Sequence, residues 1–355
     1  MTRLAHLGLG EFFRAHQAWY TERANQLGAE VWRYAAFTGR SPALAAAMTA
    51  AGDEYTLVER AADGDTSSVI RSVVASYAGS DADALAAVFR DPELAVVTLT
   101  VTEQGYDPAG SPAPGRVLDG LAARRAAGGG PLALVSCDNL SGNGEVLHGS
   151  VVRLAEASDL DLARWIEGNV TFPSTMVDRI TPHSGDPLTV VTEPFSEWVL
   201  AGAFPAGRPA WDAVGARFVD DVAPYERRKL WLLNAAHSTM TYLGLLKGLE
   251  TIDEAFADEG IRETVEQLWG EVRPVLGFSD AETDAALAAL RTRFSNPRIQ
   301  HRLTQIARQG REKLAQRQVA IMAARREAGL PAGEACQATI SAFDDVVERG
   351  IARVD

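Results

Sequence analysis

The sequence predicts an α/β protein in which a doubly wound domain is followed by an α-helical one. Three observations carry this. A short apolar run, Arg3–Gly8, leads into Gly8-Leu9-Gly10 and then into helix-forming residues. Segments of strand and helix character then alternate as far as residue 222, and the most strand-like of them, Leu94–Thr102 (Leu-Ala-Val-Val-Thr-Leu-Thr-Val-Thr), is nearly continuously apolar, as a parallel strand covered on both faces must be. From Tyr225 onward the pattern is helix after helix. The expected organisation is a Rossmann-like domain over residues 1–222 and an α-helical domain over residues 223–355.

Composition narrows the class. The chain has 355 residues, enough for two domains and a sizeable core. It carries 47 acidic against 34 basic residues, a net charge of −13. That balance speaks against nucleic acid or a membrane surface as partner, since both select basic patches. The two cysteines, Cys137 and Cys336, lie far apart, so a disulfide framework is not expected and a reducing cytoplasm is the default location. The N-terminus lacks the pattern of a signal peptide, and no apolar run approaches the roughly 20 residues of a membrane span. Two isolated cysteines and scattered histidines offer no cluster for a metal, so none is expected.

In chain order, the Gly8–Gly10 turn suits a dinucleotide: the glycines let backbone approach a pyrophosphate and the helix start meets its charge. Phe12 follows, and Phe13 stands where a third glycine is usual. His16 and Gln17 read as helix surface. Trp32–Thr38 reads as the second strand and is followed by Gly39-Arg40. An acid there would bind the ribose of NAD, and an arginine favours the phosphate of NADP. Arg40 therefore points toward NADP, with stacking on adenine or plain exposure as its alternatives. An alanine-rich helix over Pro42–Ala51, strands over Tyr55–Glu59 and Val69–Tyr77, and a helix over Asp81–Phe89 come next. Thr102-Glu103-Gln104-Gly105-Tyr106 lies at the carboxyl end of the central strand, where ligands bind in such sheets. A further buried strand, Leu132–Ser136, ends in Ser136-Cys137-Asp138-Asn139, with Cys137 read as a packed core thiol. Helices over Gly144–Ala155 and Leu160–Gly168 precede the proline-bracketed segment Phe172-Pro-Ser-Thr-Met-Val-Asp-Arg-Ile-Thr-Pro182. There Arg179 has Asp178 or Glu193 as prospective partners, and His183 reads as exposed.

The stretch Glu226-Arg-Arg-Lys-Leu-Trp-Leu-Leu-Asn-Ala-Ala-His237 contains no Gly or Pro and reads as helix. At about 100° per residue, and with Lys229 as zero, Glu226 falls near +60°, His237 near +80° and Asn234 near +140°. Four polar side chains share one arc, and buried polar groups need partners. A lysine acting as base at neutral pH needs a pKa of roughly 7 to 8 against about 10.4 free, a shift that burial and a neighbouring donor supply. An asparagine amide suits an oxygen on which negative charge develops. A solvated charged face beside an ordinary core histidine is the alternative. Further on, His301 and Gln305 are four apart and are expected to share one helix face, with Arg308, Arg311 and Lys313 after them as a basic group for a carboxylate or phosphate, or as a solvated helix end.

Lys229, Asn234 and His237 at this spacing resemble the catalytic signature of the mannitol dehydrogenase family, the polyol-specific long-chain dehydrogenases and reductases. The resemblance runs from the first ten residues to about Gln318. It includes Leu-Gly-Leu-Gly-x-Phe-Phe-Arg-Ala-His-Gln, Tyr-Thr-Leu-Val-Glu-Arg, Thr-Glu-x-Gly-Tyr, Ser-Cys-Asp-Asn, the Phe172–Pro182 segment and Arg-Phe-x-Asn-Pro at Arg293. It implies a metal-free hydride transfer with NAD or NADP. Lys229 is then the general acid/base, Asn139 and Asn234 polarise the reacting oxygen and His237 positions substrate; Glu226, on the same arc, is read as a proton relay to water. The implied cofactor residues are Gly8, Gly10, Phe12, Arg40, Thr102 and Glu103. The implied substrate residues are Val177, Asp178, His301, Gln305 and Lys313.

The implied activity interconverts a polyol and its ketose. The alternative is a hexuronate reductase, because the wording around His301 looks most like that branch. Gln309-Gly310-Arg311 departs from the family's Asp-Gly-Ser, and the tail after Gln318 is shorter than in long members, so an outer helical layer is expected to be missing. A non-catalytic NAD(P) sensor is the reading from another class, disfavoured because a sensor needs none of the four catalytic residues. A monomer or homodimer acting on a small polyol, ketose or sugar acid is expected.

Overall fold

A computed structural model describes residues 3–28, 30–39, 41–101, 103–106 and 112–354, without the side chains of Glu103 and Gln104. The chain divides into two compact units. The first comprises Met1–Glu59 and Asp65–Ala223, and the second Arg60–Gly64 and Pro224–Asp355.

In the first unit the strands are β1 (Leu4–Leu7), β2 (Tyr34–Phe37), β3 (Tyr55–Arg60), β4 (Asp65–Ile70), β5 (Val73–Tyr77), β6 (Val96–Leu99), β7 (Leu132–Ser136), β8 (Val170–Thr171), β9 (Ser174–Asp178), β10 (Thr189–Thr192), β11 (Glu197–Ala201) and β12 (Arg217–Phe218). Among the described residues, six of them form one sheet in the order β5-β2-β1-β6-β7-β8, with every recorded pairing parallel. This is the doubly wound order, with its switch point between β1 and β6. The helices of this unit are α1 (Glu11–Ala15), α2 (Gln17–Gln26), α3 (Ala43–Ala50), α4 (Ala82–Arg90), α5 (Ala113–Ala126), α6 (Asn143–Ser158) and α7 (Leu160–Asn169). Alternate residues of one strand enter different cores. Val96, Ala133 and Val135 join Phe13, Ala18 and Trp198 on one face, whereas Val97, Leu99 and Leu134 join Phe89, Leu121 and Val151 of the helices on the other. Two small sheets, β10-β3-β4 and β12-β11-β9, complete the unit. The strand expected over Val69–Tyr77 is in fact two, with Arg71 and Ser72 between β4 and β5.

At the switch point β1 runs into Gly8, whose φ of +112° is open to glycine, and a Cβ there would lie 2.0 Å from the Thr100 carbonyl oxygen. His6, one residue into the sheet, holds this turn. Its Nε2 lies 3.0 Å from the Thr100 hydroxyl, its Nδ1 lies 2.8 Å from the Thr98 hydroxyl, and the Thr100 hydroxyl donates to Gly8 O at 3.0 Å. Since Thr100 has one hydroxyl proton, His6 Nε2–H donates to it and Nδ1 accepts from Thr98. Burial pushes the His6 pKa down to about 3, so the ring is neutral, as this pattern requires. Phe13 stacks on the His6 ring at 3.6 Å, which accounts for an aromatic side chain where a third glycine is usual: helix and strand are spaced by two rings.

His16 and Gln17 were expected on the helix surface, and both are fully buried. His16 breaks the helix between α1 and α2, stacks on Phe12 at 5.1 Å and reaches Glu197 O at 3.0 Å through Nε2. Arg179 meets Glu193, one of its two expected partners, through the backbone carbonyl and by attraction to its carboxylate, and reaches beyond it. Its guanidinium donates to Glu59 Oε1, to Ala15 O and to the backbone carbonyl of Glu193. Cys137 is buried as a core thiol, and His183 is exposed beside Glu11.

In the second unit the helices are α8 (Ala223–Arg228), α9 (Ala235–Leu246), α10 (Ile252–Ala257), α11 (Glu259–Leu276), α12 (Asp280–Phe294), α13 (Leu303–Ile306), α14 (Gly310–Leu314), α15 (Ala320–Glu327) and α16 (Glu334–Glu348). They enclose a core that includes Trp231, Leu232, Met240, Leu268, Trp269, Phe294, Ile321 and Phe343. No helix of the described residues is long and apolar enough to cross a membrane.

Gly8→Ala is expected to destabilise the first unit by about 3 kcal/mol or more, from a left-handed φ combined with a backbone collision. Denaturant unfolding measures this, and an unchanged midpoint would contradict the close approach to Thr100.

Candidate active site

The helix expected across Glu226–His237 is not one uniform α-helix. Between α8 and α9 the chain makes a π-helical turn, Lys229–Asn234, in which Ala235 N–H reaches back to Leu230 O. Bonds then close from i to i+5, and Lys229 and Asn234 are five apart. The 100° wheel that put Asn234 near +140° from Lys229 therefore does not hold: the wider turn brings Asn234 round toward the azimuth of the lysine. Lys229 and Glu226 are half-buried, whereas Asn234 and His237 are buried.

A widened turn disturbs the i→i+4 ladder, so its carbonyls need other donors. Three side chains supply them. Trp269 Nε1 donates to Leu232 O at 2.9 Å, Arg317 Nη1 to Asn234 O at 3.0 Å and Gln318 Nε2 to Ala235 O at 2.9 Å. Arg317 also donates to the Ser238 hydroxyl at 2.8 Å. Arg317 and Gln318 sit in a second π turn, Ala315–Val319, which packs on the first.

His237 and His301 meet edge to face with ring centroids 5.2 Å apart, and Phe294 lies 5.1 Å from the His237 ring. Burial pushes the pKa of His237 well below the ordinary value, with His301, Arg317, Arg293 and Lys229 adding repulsion. Burial, Lys313 and Arg293 push His301 down to about 4. His301 precedes the short helix α13 and does not share a helix face with Gln305, which is exposed; this corrects the expected pairing of the two. Lys313 is half-buried with Nζ on Ile306 O at 3.0 Å, and Arg308 and Arg311 are exposed.

In the first unit Gly10 caps α1 beside Gly8, and Phe12 is half-buried next to them. Arg40 and Thr102 lie outside the described residues, as does the side chain of Glu103. Asn139 sits exposed in the turn after β7. Its neighbour Asp138, buried, was not singled out by sequence, yet it ties two loops together. Its Oδ2 accepts from Val101 N at 3.0 Å and from the Tyr106 hydroxyl at 2.5 Å. Asn143 closes the same turn: its amide donates to Asp138 O at 3.0 Å and Thr175 O at 2.9 Å, and it accepts from Thr175 N at 2.9 Å. An acid following a buried strand was the available signal for Asp138. Val177 and Asp178, both buried, pair on β9 with Trp198 and Glu197 of β11. Among the described residues no group of three or more His, Cys, Asp or Glu side chains gathers as a metal cluster.

A doubly wound sheet with a glycine turn at its switch point, joined to a helical unit whose Lys-Asn turn sits beside two neutral histidines, defines a nucleotide-dependent oxidoreductase of the two-domain type. The sequence pattern of the mannitol dehydrogenase Rossmann domain matches residues 2–213, and that of the mannitol dehydrogenase C-terminal domain matches residues 221–340. The chain belongs to the mannitol dehydrogenase family, and it is an oxidoreductase of the polyol and sugar-acid type.

Among its relatives, D-mannonate oxidoreductase of Escherichia coli (strain K12) is 36% identical, covering 89% of this chain and 74% of the relative. Mannitol 2-dehydrogenase of Cereibacter sphaeroides is 35% identical, covering 83% and 70%. The solved structure of Pseudomonas fluorescens mannitol 2-dehydrogenase, a ternary complex with NAD and D-mannitol, superimposes with a TM-score of 0.84 at 31% identity, covering 98% of this chain and 79% of that one.

The depressed histidines set the pH response of the second unit. Below about 6.5 the unfolded chain takes up these protons, but folded His301 does not until the pH nears 4, so stability is present above 6.5 and is lost on acidification through that window. The loss is at most about 1.4 kcal/mol per pH unit for each group. Urea midpoints should fall between pH 7.5 and 5, and His301→Asn should flatten the fall. An equally steep fall in the variant would place the acid lability elsewhere.

Proposed function

We propose that this chain transfers hydride, without a metal, between a nicotinamide dinucleotide and the secondary alcohol of an open-chain polyol or sugar acid, with Lys229 as general acid/base. The observation that supports this reading is the π turn Lys229–Asn234, which leads into α9, where burial holds the pKa of His237 well below the ordinary value. The residues fit a bound dinucleotide: at Gly8 the backbone turns at positive φ and packs against Thr100 with no room for a Cβ, and Gly10 leads directly into α1. Gly8, Gly10 and Phe12, with Arg40, Thr102 and Glu103, hold it, and the nicotinamide, when bound, accepts or supplies the hydride.

Lys229 takes the hydroxyl proton in oxidation and returns it in reduction. Asn139 and Asn234 donate their amides to the developing oxyanion, a neutral pair suited to a ketone becoming an alkoxide. His237, neutral, orients a neighbouring hydroxyl, and Glu226 passes the proton to water. Val177, Asp178, His301, Gln305 and Lys313 line the substrate.

Charge favours the sugar acid. Beyond burial, which is the main cause, Lys229, Arg293, Arg317 and Lys313 help depress His237 and His301, and such a field suits a substrate bearing a carboxylate. The similarity to D-mannonate oxidoreductase agrees with this, whereas the mannitol 2-dehydrogenase relatives favour a neutral polyol and its ketose as the alternative.

NADH and NADPH oxidation should be fastest with fructuronate or tagaturonate, slower with fructose or xylulose, and insensitive to a chelator. Preference for the neutral ketoses would overturn the sugar-acid assignment, and chelator-sensitive turnover would overturn the metal-free one. Lys229→Ala should lower kcat by roughly 10²- to 10⁴-fold, the range for a lost proton-transfer group, with NAD(P)H affinity nearly unchanged. Equal loss of binding and turnover would mark a structural lysine.

A further inference from the structure

The turn that carries Asn139 is fixed by the residue before it. β6 and β7 run parallel, and their ladder ends at Leu99 and Ser136. Asp138 lies just beyond, on the side of the sheet where ligands bind. It is buried, and both its carboxylate and its carbonyl are engaged. Oδ2 accepts from Val101 N at 3.0 Å and from the Tyr106 hydroxyl at 2.5 Å. The carbonyl accepts from the Asn143 amide at 3.0 Å and from Leu140 N at 2.9 Å. The last of these closes a three-residue turn with Asn139 at its centre. Asn139 itself is exposed. Its backbone is therefore pinned on the side away from solvent, and its amide is left pointing outward.

Tyr106 is the other half of this clamp. It ends the 3₁₀ turn Glu103–Tyr106 and is buried. Its hydroxyl also meets the Ser136 hydroxyl at 2.5 Å, and its carbonyl accepts from the Ser150 hydroxyl of α6 at 3.1 Å. Burial and the Asp138 carboxylate push the Tyr106 pKa well above the ordinary value, so the phenol keeps its proton and donates it. A hydrogen bond to a buried carboxylate is of the charge-assisted, stronger kind. On the far side of the turn, the Asn143 amide donates to Thr175 O at 2.9 Å, and a Cβ at Gly144 would lie 2.5 Å from Phe172 O. The Asn139 turn is thus seated between the loop after β6 and the start of β9. These bonds lie outside the sheet ladder, so they fix loops and not the sheet.

We propose that Asp138 is a positioning residue for the reaction: by holding Val101 N and the Tyr106 hydroxyl on Oδ2, it aims the Asn139 amide at the developing oxyanion. The proposal rests on the function above, in which Asn139 is an oxyanion donor, and adds the group through which that amide is placed. The role needs the acceptor oxygen and not the negative charge.

A double-mutant cycle on ketose and keto-acid reduction tests it. Asp138→Ala should lower kcat by about 10- to 100-fold, the scale on which a small misplacement in a site acts, while KM and NADH or NADPH affinity stay within about twofold. Asn139→Ala should lower kcat by about 100-fold or more, and in that background Asp138→Ala should cost no more than about twofold. Asp138→Asn retains an oxygen that can accept both bonds and should keep most of kcat. Melting curves establish that each variant is folded, and if Asp138→Ala is not, Tyr106→Phe takes its place in the cycle. Additive losses, wild-type kcat in the clamp variant, or a fall in cofactor affinity parallel to kcat overturns the assignment. A loss in Asp138→Asn as deep as in Asp138→Ala overturns it too, since charge would then be the active property. If Asn139→Ala is impaired as expected and the losses still add, the function above stands and the role of Asp138 alone is removed. Wild-type kcat in Asn139→Ala, or no turnover of any of these substrates by the wild-type protein, takes down the oxyanion role and this proposal together.

Discussion

The carbonyls of a widened helical turn have to be met by something other than the helix itself, and in this protein they are met by side chains. Leu232 O, Asn234 O and Ala235 O accept from Trp269, Arg317 and Gln318. A regular α-helical ladder would satisfy the same groups without those donors. Asn234 would then rotate away from Lys229. The π turn is thus a tertiary product: helix α11 and the second π turn hold it from outside. It also explains why the lysine and asparagine are five apart rather than four. Five is the repeat of the π ladder, and four would be the natural spacing for a pair on an α-helical face.

The first unit solves a similar problem at its glycine turn. A backbone that bends at positive φ directly under a neighbouring strand needs a fixed surface to bend against. Thr100 provides it, and His6 holds the Thr100 hydroxyl in the orientation that reaches Gly8 O. The neutral ring also accepts from Thr98 through Nδ1, and burial favours that neutral form. Asp138 has a comparable place one strand over: it binds the backbone after β6 and the Tyr106 hydroxyl, so the loops following the two central strands are built as one piece. Both arrangements put a polar side chain inside the sheet edge, where each of its bonds fixes a loop that the sheet alone would leave free.

The candidate site is proposed from residue types and their spacing. The glycine turn, the apolar central strand, Asn139 after a buried strand and the Lys229–Asn234–His237 stretch all stand out because local pattern and chemistry agree. The pattern failed where the partner is distant in the chain. His16 and Gln17 look like helix surface because their neighbours are helix formers, yet β11 and the aromatic cluster around Trp198 cover them. His301 and Gln305 look like one helical face, but the helix begins only at Leu303, and the imidazole turns instead to His237. For Arg179 the expected Glu193 is one partner, but Glu59, which is 120 residues away, and the carbonyl of Ala15 are others that local pattern did not suggest.

The sequence by itself determined the class of the protein: a doubly wound domain, a helical domain and the position of the glycine turn. Those follow from periodicity, β-branched content and glycine placement, which act over a few residues. Tertiary structure decided the form of the Lys229 helix and the depressed pKa of the buried histidines. The reason is physical. A π turn and a depressed pKa each depend on what is brought within a few ångströms by folding, and a local pattern holds no record of that.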